Sequence, residues 1–144
     1  MSDGAFRLAA NQRIRVLIAD DHDMIREQIR EIICRHPLVE VCAFAKNGTE
    51  AVQKARELKP DFVILDISMP GLNGLEAATQ IRQIVPRAKV IMLSMHESPH
   101  LEAAALRAGA DAIVSKSRAS EVLLSAIHRL SSTGTAEPGA PAAE

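Results

Sequence analysis

Short apolar runs alternate with longer segments of helical period along most of this chain. The apolar runs are too short for helices and rich in strand-forming residues, so they predict strands at 14–19, 38–44, 62–65, 89–93 and 112–114. The segments between and after them predict helices at 23–35, 47–58, 75–85, 98–109 and 117–130. Such alternation favours right-handed βαβ units, and therefore an α/β fold with one five-stranded parallel sheet and helices on both faces.

Cap and breaker residues mark the predicted helix ends. Asn47 and Glu50 have the spacing of a capping box, and Ser98-Pro99 joins an N-cap to a proline at the first helical position. The segment 71–74 is predicted to be a loop. In the first helix, isoleucines at helical spacing predict the buried face, and four charged residues predict the solvent face: Arg26, Glu27, Arg30 and Glu31.

Composition narrows the class of protein. Apolar residues make up 47% of the chain and the formal net charge is −1, so electrostatic contact with nucleic acid or a membrane surface is not expected. No apolar run approaches the ~20 residues of a membrane span and no signal-peptide core is evident, which favours a cytoplasmic protein. Cys34 and Cys42 lack metal-ligand spacing and are expected to be buried free thiols.

The length fits one domain, predicted at residues 14–130. Residues 1–13 have no clear period and are interpreted as a flexible leader. Residues 131–144 are rich in Ala, Gly, Pro, Ser and Thr, a composition that cannot bury a core. They are interpreted as a disordered tail or an interdomain linker.

Polar side chains stand where four of the five predicted strands end. Asp20-Asp21 follow the first strand, Asp66 the third, Ser94 the fourth, and Lys116 comes shortly after the fifth. Ligands of open α/β sheets bind beyond the carboxyl ends of the strands, and these ends share one edge. In isolation, Asp20-Asp21 could be helix N-terminal acids and Lys116 a surface cation. Their joint placement favours a site.

Convergence of these groups indicates a particular chemistry. Three neighbouring carboxylates repel one another and need a counter-charge, for which Mg²⁺ is the natural hard cation. A carboxylate beside Mg²⁺, a lysine and a hydroxyl suits phosphoryl transfer, in which the carboxylate can be the nucleophile. Asp66, at the centre of the row, is the predicted nucleophile, with Ser94 and Lys116 holding phosphoryl oxygens. His22 and His96 could suggest metal binding, but both flank the predicted pocket without a ligand pattern, so ligation by them is not expected.

Four segments together resemble the receiver domain of bacterial two-component response regulators: residues 16–22, 66–71, 93–96 and 109–116. The resemblance covers roughly residues 14–130 and implies a flavodoxin-like (βα)5 fold with strand order 2-1-3-4-5. Asp21-His22 and the segment 93–97 are most similar to NarL/FixJ-type transcription regulators, which carry LuxR-type output domains.

The resemblance also implies the roles of individual residues. Asp66 would accept a phosphoryl group from the phosphohistidine of a sensor histidine kinase. Asp21 and Asp66 would bind Mg²⁺ directly, Asp20 mostly through water, and the backbone carbonyl of Ser68 would complete the protein ligands. Ser94 and Lys116 would engage the phosphoryl group. The chain would then catalyse only its own phosphotransfer and its autodephosphorylation by water.

Two residues depart from the pattern of the family. Many receivers have Tyr or Phe where this chain has Ile113, and that ring commonly reports phosphorylation by moving inward. Met95 stands where Ala or Gly is common, and its larger side chain could narrow access to Asp66. Both residues are therefore candidate switch positions whose behaviour should differ from that of other receivers.

The sequence leaves open how phosphorylation of Asp66 would be passed on to other proteins or domains. Regulation of transcription would require an output domain that this chain lacks. Besides the sensor histidine kinase, a second copy of the chain is a candidate partner, in a homodimer through the fourth and fifth or the first and fifth helices. Two other functions stay open. One is an interaction module that works without phosphorylation, supported by Ile113 and Met95. The other is a Mg²⁺-dependent phosphatase, disfavoured because Ile67-Ser68 offers no second carboxylate.

Overall fold

The computed structural model describes residues 13–95 and 97–134, in which five strands and five α-helices alternate. The strands are β1 (Ile14–Ala19), β2 (Val39–Ala45), β3 (Phe62–Asp66), β4 (Lys89–Ser94) and β5 (Ala112–Ser115). The helices are α1 (Asp23–Ile33), α2 (Gly48–Leu58), α3 (Gly74–Ile84), α4 (Pro99–Arg107) and α5 (Ala119–Gly134). All strand pairs are parallel and the order is β2-β1-β3-β4-β5, so the predicted flavodoxin-like sheet is confirmed.

Two apolar cores sandwich the sheet. Side chains of α1 and α5 pack on one face, with Ile29 and Leu123 among the buried residues. Side chains of α2, α3 and α4 pack on the other face, with Val52 and Ile81 among them. The central strands β1, β3 and β4 are buried on both faces, which is why each contains an apolar run of at least four residues.

Helix starts differ from the prediction at two places. Asn47 caps α2 by accepting a hydrogen bond from the Glu50 backbone at 2.8 Å, but the Glu50 carboxylate accepts from the Lys46 backbone instead of closing a capping box. A complete capping box instead starts α3, between Asn73 and Glu76, in the segment predicted to be a loop. The predicted Ser98 cap of α4 is confirmed, since its hydroxyl accepts from the Leu101 backbone at 3.3 Å.

Helix ends also differ. α1 ends at Ile33 rather than Arg35, because Arg35 and His36 donate to carbonyls three residues back instead of four. A 3₁₀ turn, Lys116–Arg118, separates β5 from α5. α5 continues to Gly134, four residues beyond the predicted end. The rest of the predicted tail and residues 1–12 of the predicted leader lie outside the described residues.

Three side chains contradict the burial expected from sequence. Arg26 was assigned to the solvent face of α1, but it is 8% exposed. Cys34 is a free thiol as predicted, yet it is exposed, and the free thiol of Cys42 is only half-buried. In the described part of the chain, no helix is long and apolar enough to cross a membrane.

Candidate functional site

Strand register brings the predicted site residues to one edge of the sheet. Ala19 pairs with Leu65, so Asp20 and Asp66 come level at the carboxyl ends of adjacent strands. On the other side of β3, Asp66 pairs with Leu93, the residue before Ser94. Ser94 in turn pairs with Ser115, the residue before Lys116. Parallel pairing therefore places the carboxylates, the hydroxyl and the ammonium at the same end of the sheet.

Lys116 bridges two buried carboxylates. Its Nζ lies 3.0 Å from Asp20 Oδ2 and 3.1 Å from Asp66 Oδ2, while its side chain is only 13% exposed. Asp20 and Asp66 are themselves 0% and 2% exposed. One positive charge thus faces two buried negative charges, and the cluster needs further positive charge to be balanced.

Burial and crowding set the pKa values of this cluster. Burial, followed by the charge of Asp20, raises the pKa of Asp66 from 3.8 to about 6 against the opposing effect of Lys116. Burial also acts to raise the pKa of Asp20, but hydrogen bonds from the His22 backbone and Lys116 outweigh it and lower that pKa. The pKa of Lys116 is raised, because the two carboxylates outweigh the opposing effect of burial. Lys116 therefore stays protonated, and Asp66 is protonated more easily than Asp20.

Asp21 and His22 lie at the open side of the cluster. The His22 backbone donates to Asp20 Oδ1 at 2.9 Å, and its ring Nδ1 lies 3.1 Å from both Asp20 Oδ1 and Asp21 Oδ1. Ligand atoms of Asp20, Asp21, His22 and Asp66 all lie within 4.8 Å of one another. His22 thus belongs to the cluster itself, which the sequence pattern did not indicate. His96, the other histidine considered, lies outside the described residues.

The acidic cluster fits a hard divalent cation. Its carboxylates supply oxygen donors, which Mg²⁺ prefers. Asp20 Oδ2 is buried, and its cationic partner, Lys116 Nζ at 3.0 Å, is shared with Asp66 Oδ2. A buried acceptor of this kind is costly unless another positive group satisfies it.

The β3–α3 loop is held tightly beneath Asp66. The Ser68 backbone donates to Asp66 Oδ1 at 3.1 Å, and the Gly74 backbone donates to the Ile67 carbonyl at 2.9 Å. A Cβ added at Gly74 would lie 2.3 Å from the Asp66 carbonyl oxygen. Glycine is therefore required for α3 to begin this close to the end of β3.

Ser94 and Ile113 lie together in an open cleft. Ser94 is buried at the end of β4, and Ile113 is half-buried on β5. Both line a cleft of about 520 Å³ that is bordered by α4 and by the start of α5. Met95, the residue after Ser94, is 67% exposed. That its side chain narrows access to Asp66 stays a prediction.

Arg26 was missed by the sequence analysis although it contacts the site. Its Nη1 donates to the Asp20 carbonyl oxygen at 2.6 Å. The pattern did contain a signal, because Arg26, Ile29 and Ile33 share one helical stripe and the isoleucines are buried. Charge was taken as evidence of exposure, whereas an arginine with partners for its guanidinium can be buried.

Comparison with known proteins identifies the class of protein that this fold and site define. The response regulator receiver domain family matches residues 16–128, so the chain belongs to that family. Receiver domains act in phosphorylation-dependent signalling, bind Mg²⁺ at an acidic pocket and interact with histidine kinases. The resemblance stated from sequence is confirmed.

Similar proteins include both transcription regulators and a methylesterase. The chain is 36% identical over 125 residues to the transcriptional regulatory protein LnrK of Bacillus subtilis, covering 87% of this chain and 57% of LnrK. It is 53% identical over 58 residues to protein-glutamate methylesterase/protein-glutamine glutaminase 2 of Carboxydothermus hydrogenoformans, covering 40% of this chain and 16% of that protein. The matches thus span less than two thirds of these relatives.

Solved structures agree with the NarL/FixJ-type resemblance. A LuxR-family two-component response regulator from Aurantimonas sp. SI85-9A1 superposes with a TM-score of 0.80 at 34% identity, covering 85% of this chain and 87% of that one. The match supports the assignment to receivers of this type.

Proposed function

We propose that Asp66 accepts a phosphoryl group from a sensor histidine kinase, and that phosphorylation regulates transcription through an output domain. The observation that carries the proposal is the buried Asp66 carboxylate at the end of β3, with Lys116 Nζ 3.1 Å away and Asp20 beside it. A buried carboxylate with a fixed ammonium neighbour is suited to nucleophilic attack on a phosphoryl group whose new charge the ammonium can stabilise.

The transfer proceeds by in-line displacement. An Asp66 carboxylate oxygen attacks the phosphorus of the phosphohistidine, the P–O bond forms, and the P–N bond breaks with its electron pair left on the imidazole. Lys116, whose side chain is largely buried and held by two carboxylates, then pairs with a phosphoryl oxygen. Ser94 donates its hydroxyl to a second one. Water reverses the modification by attacking the same phosphorus, so that the P–O bond to Asp66 breaks, the carboxylate is restored and inorganic phosphate leaves.

Asp20, Asp21, Asp66 and the Ser68 carbonyl would hold Mg²⁺, which would supply the positive charge that offsets carboxylate crowding and charge on the phosphoryl oxygens. Both carboxylate oxygens of Asp20 already have partners, the His22 backbone and Lys116, so contact with the ion through water would leave these interactions in place. The predicted ligand set is therefore compatible with the geometry of the cluster.

The test is incubation with Mg²⁺ and a small-molecule phosphodonor, followed by intact-mass analysis. We expect one acid-labile phosphoryl group on the wild-type chain and none on Asp66→Ala. Asp61→Ala, at the opposite end of the β3 strand, serves as the matched control and should be labelled normally. No label under conditions that modify another receiver would support the phosphorylation-independent interaction module. Full labelling of Asp66→Ala would refute the assignment of the nucleophile.

A further inference from the structure

Arg26 is a buried cation that the phosphotransfer chemistry does not use. Its Nη1 donates to the Asp20 carbonyl at 2.6 Å, its Nη2 donates to the Asp23 carboxylate, and its Cζ lies 5.8 Å from the centre of the Phe44 ring. These partners belong to the end of β1, the first turn of α1 and the β2 strand. The guanidinium therefore ties together the three segments that surround the acid pair.

Stability alone is a weak reason for an arginine at this place. Burying a guanidinium has a large desolvation cost, and buried ion pairs are often no more stabilising than apolar side chains of similar volume. Arg26 shares its helical stripe with Ile29 and Ile33, where an apolar residue would extend the core. What an apolar side chain could not provide is the hydrogen bond to the Asp20 carbonyl.

The Asp20 carbonyl belongs to the peptide group that joins Asp20 to Asp21. A peptide group is planar, so holding its oxygen restrains ψ of Asp20 and φ of Asp21, the backbone angles that help to set how the two carboxylate side chains are presented. Other contacts restrain different atoms of this turn: the Asp20 amide donates to the Ala45 carbonyl at 3.0 Å, and the His22 backbone and Lys116 hold the Asp20 side chain, but none of them contacts the Asp20 carbonyl. Without Arg26, rotation of the peptide group would move Asp20 and Asp21 relative to Asp66.

We propose that Arg26 is a positioning residue that holds the Asp20–Asp21 peptide group so that both carboxylates face Asp66. This inference rests on the proposed function, because the acid pair matters there as a Mg²⁺ site. Residues that orient metal ligands from behind typically contribute about 10–100-fold to metal affinity. Arg26 would thereby set the Mg²⁺ concentration at which Asp66 can be phosphorylated.

The experiment compares Arg26→Met and Arg26→Lys with Arg82→Met. Arg82 is a matched control, since it also donates to backbone carbonyls, those of Pro86, Ala88 and Gly109, but at the amino end of the strands. Calorimetry measures the Mg²⁺ dissociation constant of each variant. Phosphorylation rates give the Mg²⁺ concentration at half-saturation. NMR measures hydrogen exchange of the His22 amide in the metal-free protein.

We expect Arg26→Met to raise the Mg²⁺ dissociation constant about tenfold and to speed His22 amide exchange, with saturating Mg²⁺ restoring much of the phosphorylation rate. Arg26→Lys should fall between Met and wild type, because an ammonium can still donate to the Asp20 carbonyl but cannot span it and Asp23. Arg82→Met should lower the melting temperature and leave the Mg²⁺ dissociation constant unchanged.

Two results would overturn the inference. One is a folded Arg26→Met variant whose Mg²⁺ affinity and His22 amide exchange equal those of wild type. If the methionine variant does not fold, the same result in a folded Arg26→Lys variant counts instead. The other is an equal loss of Mg²⁺ affinity in Arg82→Met, which would show a general effect of instability. In either case wild-type phosphorylation of Asp66 would persist. A wild-type chain that neither binds Mg²⁺ nor is phosphorylated would refute the proposed function and the inference together.

Discussion

Asp66 combines two properties that oppose each other. Its place among Leu65, Ile67 and the sheet keeps water away, and that burial is the main reason for its pKa of about 6. Lys116 partly offsets the effect but is shared with Asp20. In the metal-free protein, ionisation of Asp66 therefore destabilises the folded state. A bound cation would offset this cost by stabilising the carboxylate.

This cost predicts a pH-dependent gain in stability from Asp66→Asn. An unfolded chain loses the Asp66 proton near the usual value of 3.8, whereas the folded chain keeps it to about 6. Between these values the folded state binds more protons, so the contribution of Asp66 to stability falls as pH rises. At neutral pH the asparagine variant should therefore have a higher melting temperature than metal-free wild type. Its free energy of unfolding should be higher by at most about 3 kcal/mol.

The gain should shrink as pH falls toward the usual carboxyl value, where Asp66 is protonated in both states. Thermal melts in chelator across this window measure it. Glu57→Gln, which neutralises an exposed acid on α2, is the control and should show little dependence. A gain that stays constant across the window would mean that Asp66 ionisation is not its source.

At the scale of elements, the β3–α3 connection is the most constrained part of the site. Gly74 begins α3 against the Asp66 and Ile67 backbone, and the Asn73–Glu76 capping box fixes the first turn. The loop therefore cannot move away from Asp66 without uncapping α3. This rigidity holds the Ser68 backbone in place beneath the carboxylate.

Gly74→Ala should accordingly destabilise the protein and slow phosphorylation of Asp66. Its Cβ would lie 2.8 Å from Ile67 Cα and closer still to the Asp66 carbonyl, so backbone must move, at a cost of about 1–3 kcal/mol or more. Gly71→Ala is the matched control in the same loop, where a Cβ meets nothing within 4 Å and only the positive φ of 70° is unfavourable. Denaturant midpoints and labelling rates separate the two; equal phosphorylation defects would contradict the argument.

α4 packs more loosely than the other helices. Ala105 is its buried residue, and the open cleft beside it is lined by Ser94 and Ile113. Ile113 is β-branched, stiff at χ1 and has no hydroxyl, so it can follow a displaced Ser94 only in part. Coupling from Asp66 to the surface of α4 and α5 should therefore be weak.

Ile113→Tyr should strengthen this coupling by supplying a larger ring with a hydroxyl. On addition of a beryllofluoride mimic, we expect small amide shift changes in residues 103–124 of wild type and larger ones in the variant. Amides of α2, on the opposite face from α5, provide the internal control and should respond equally in both proteins. Large, saturating changes already present in wild type would refute weak coupling.

At the scale of the whole molecule, metal binding and folding are linked. A ligand that binds only the folded state stabilises it by mass action, and Mg²⁺ at ten times its dissociation constant would contribute about 1.4 kcal/mol. For a domain of this size that is a rise of about 3–6 °C in melting temperature.

Asp21→Ala should abolish this rise and sharply reduce phosphorylation. In chelator the same variant should melt at or above wild type, because one of the crowded negative charges is gone. Glu76, outside the cluster but part of the α3 cap, gives a contrasting variant: Glu76→Gln should keep the Mg²⁺ response. A Mg²⁺-induced rise that survives in Asp21→Ala would place the ion elsewhere.

The sequence by itself determined the elements, the parallel sheet and the edge at which Asp20, Asp66, Ser94 and Lys116 meet. These follow from local periodicity and from the rule that parallel strands end together, neither of which depends on side-chain detail. The strand order came from the resemblance to receivers rather than from periodicity. The Asn73–Glu76 capping box has its usual spacing in the sequence, but Gly71 and Gly74 beside it favoured the prediction of a loop.

Tertiary structure alone decided how the groups around that edge are paired. Lys116 could have met one carboxylate or both, His22 could have faced water, and Arg26 was assigned to solvent until its contacts with Asp20, Asp23 and Phe44 were seen. The contacts of Lys116 with Asp20 and Asp66, and of Arg26 with Phe44, join segments whose spacing is set by packing across the sheet. A one-dimensional pattern records the charge of a side chain but not the partners that make its burial favourable.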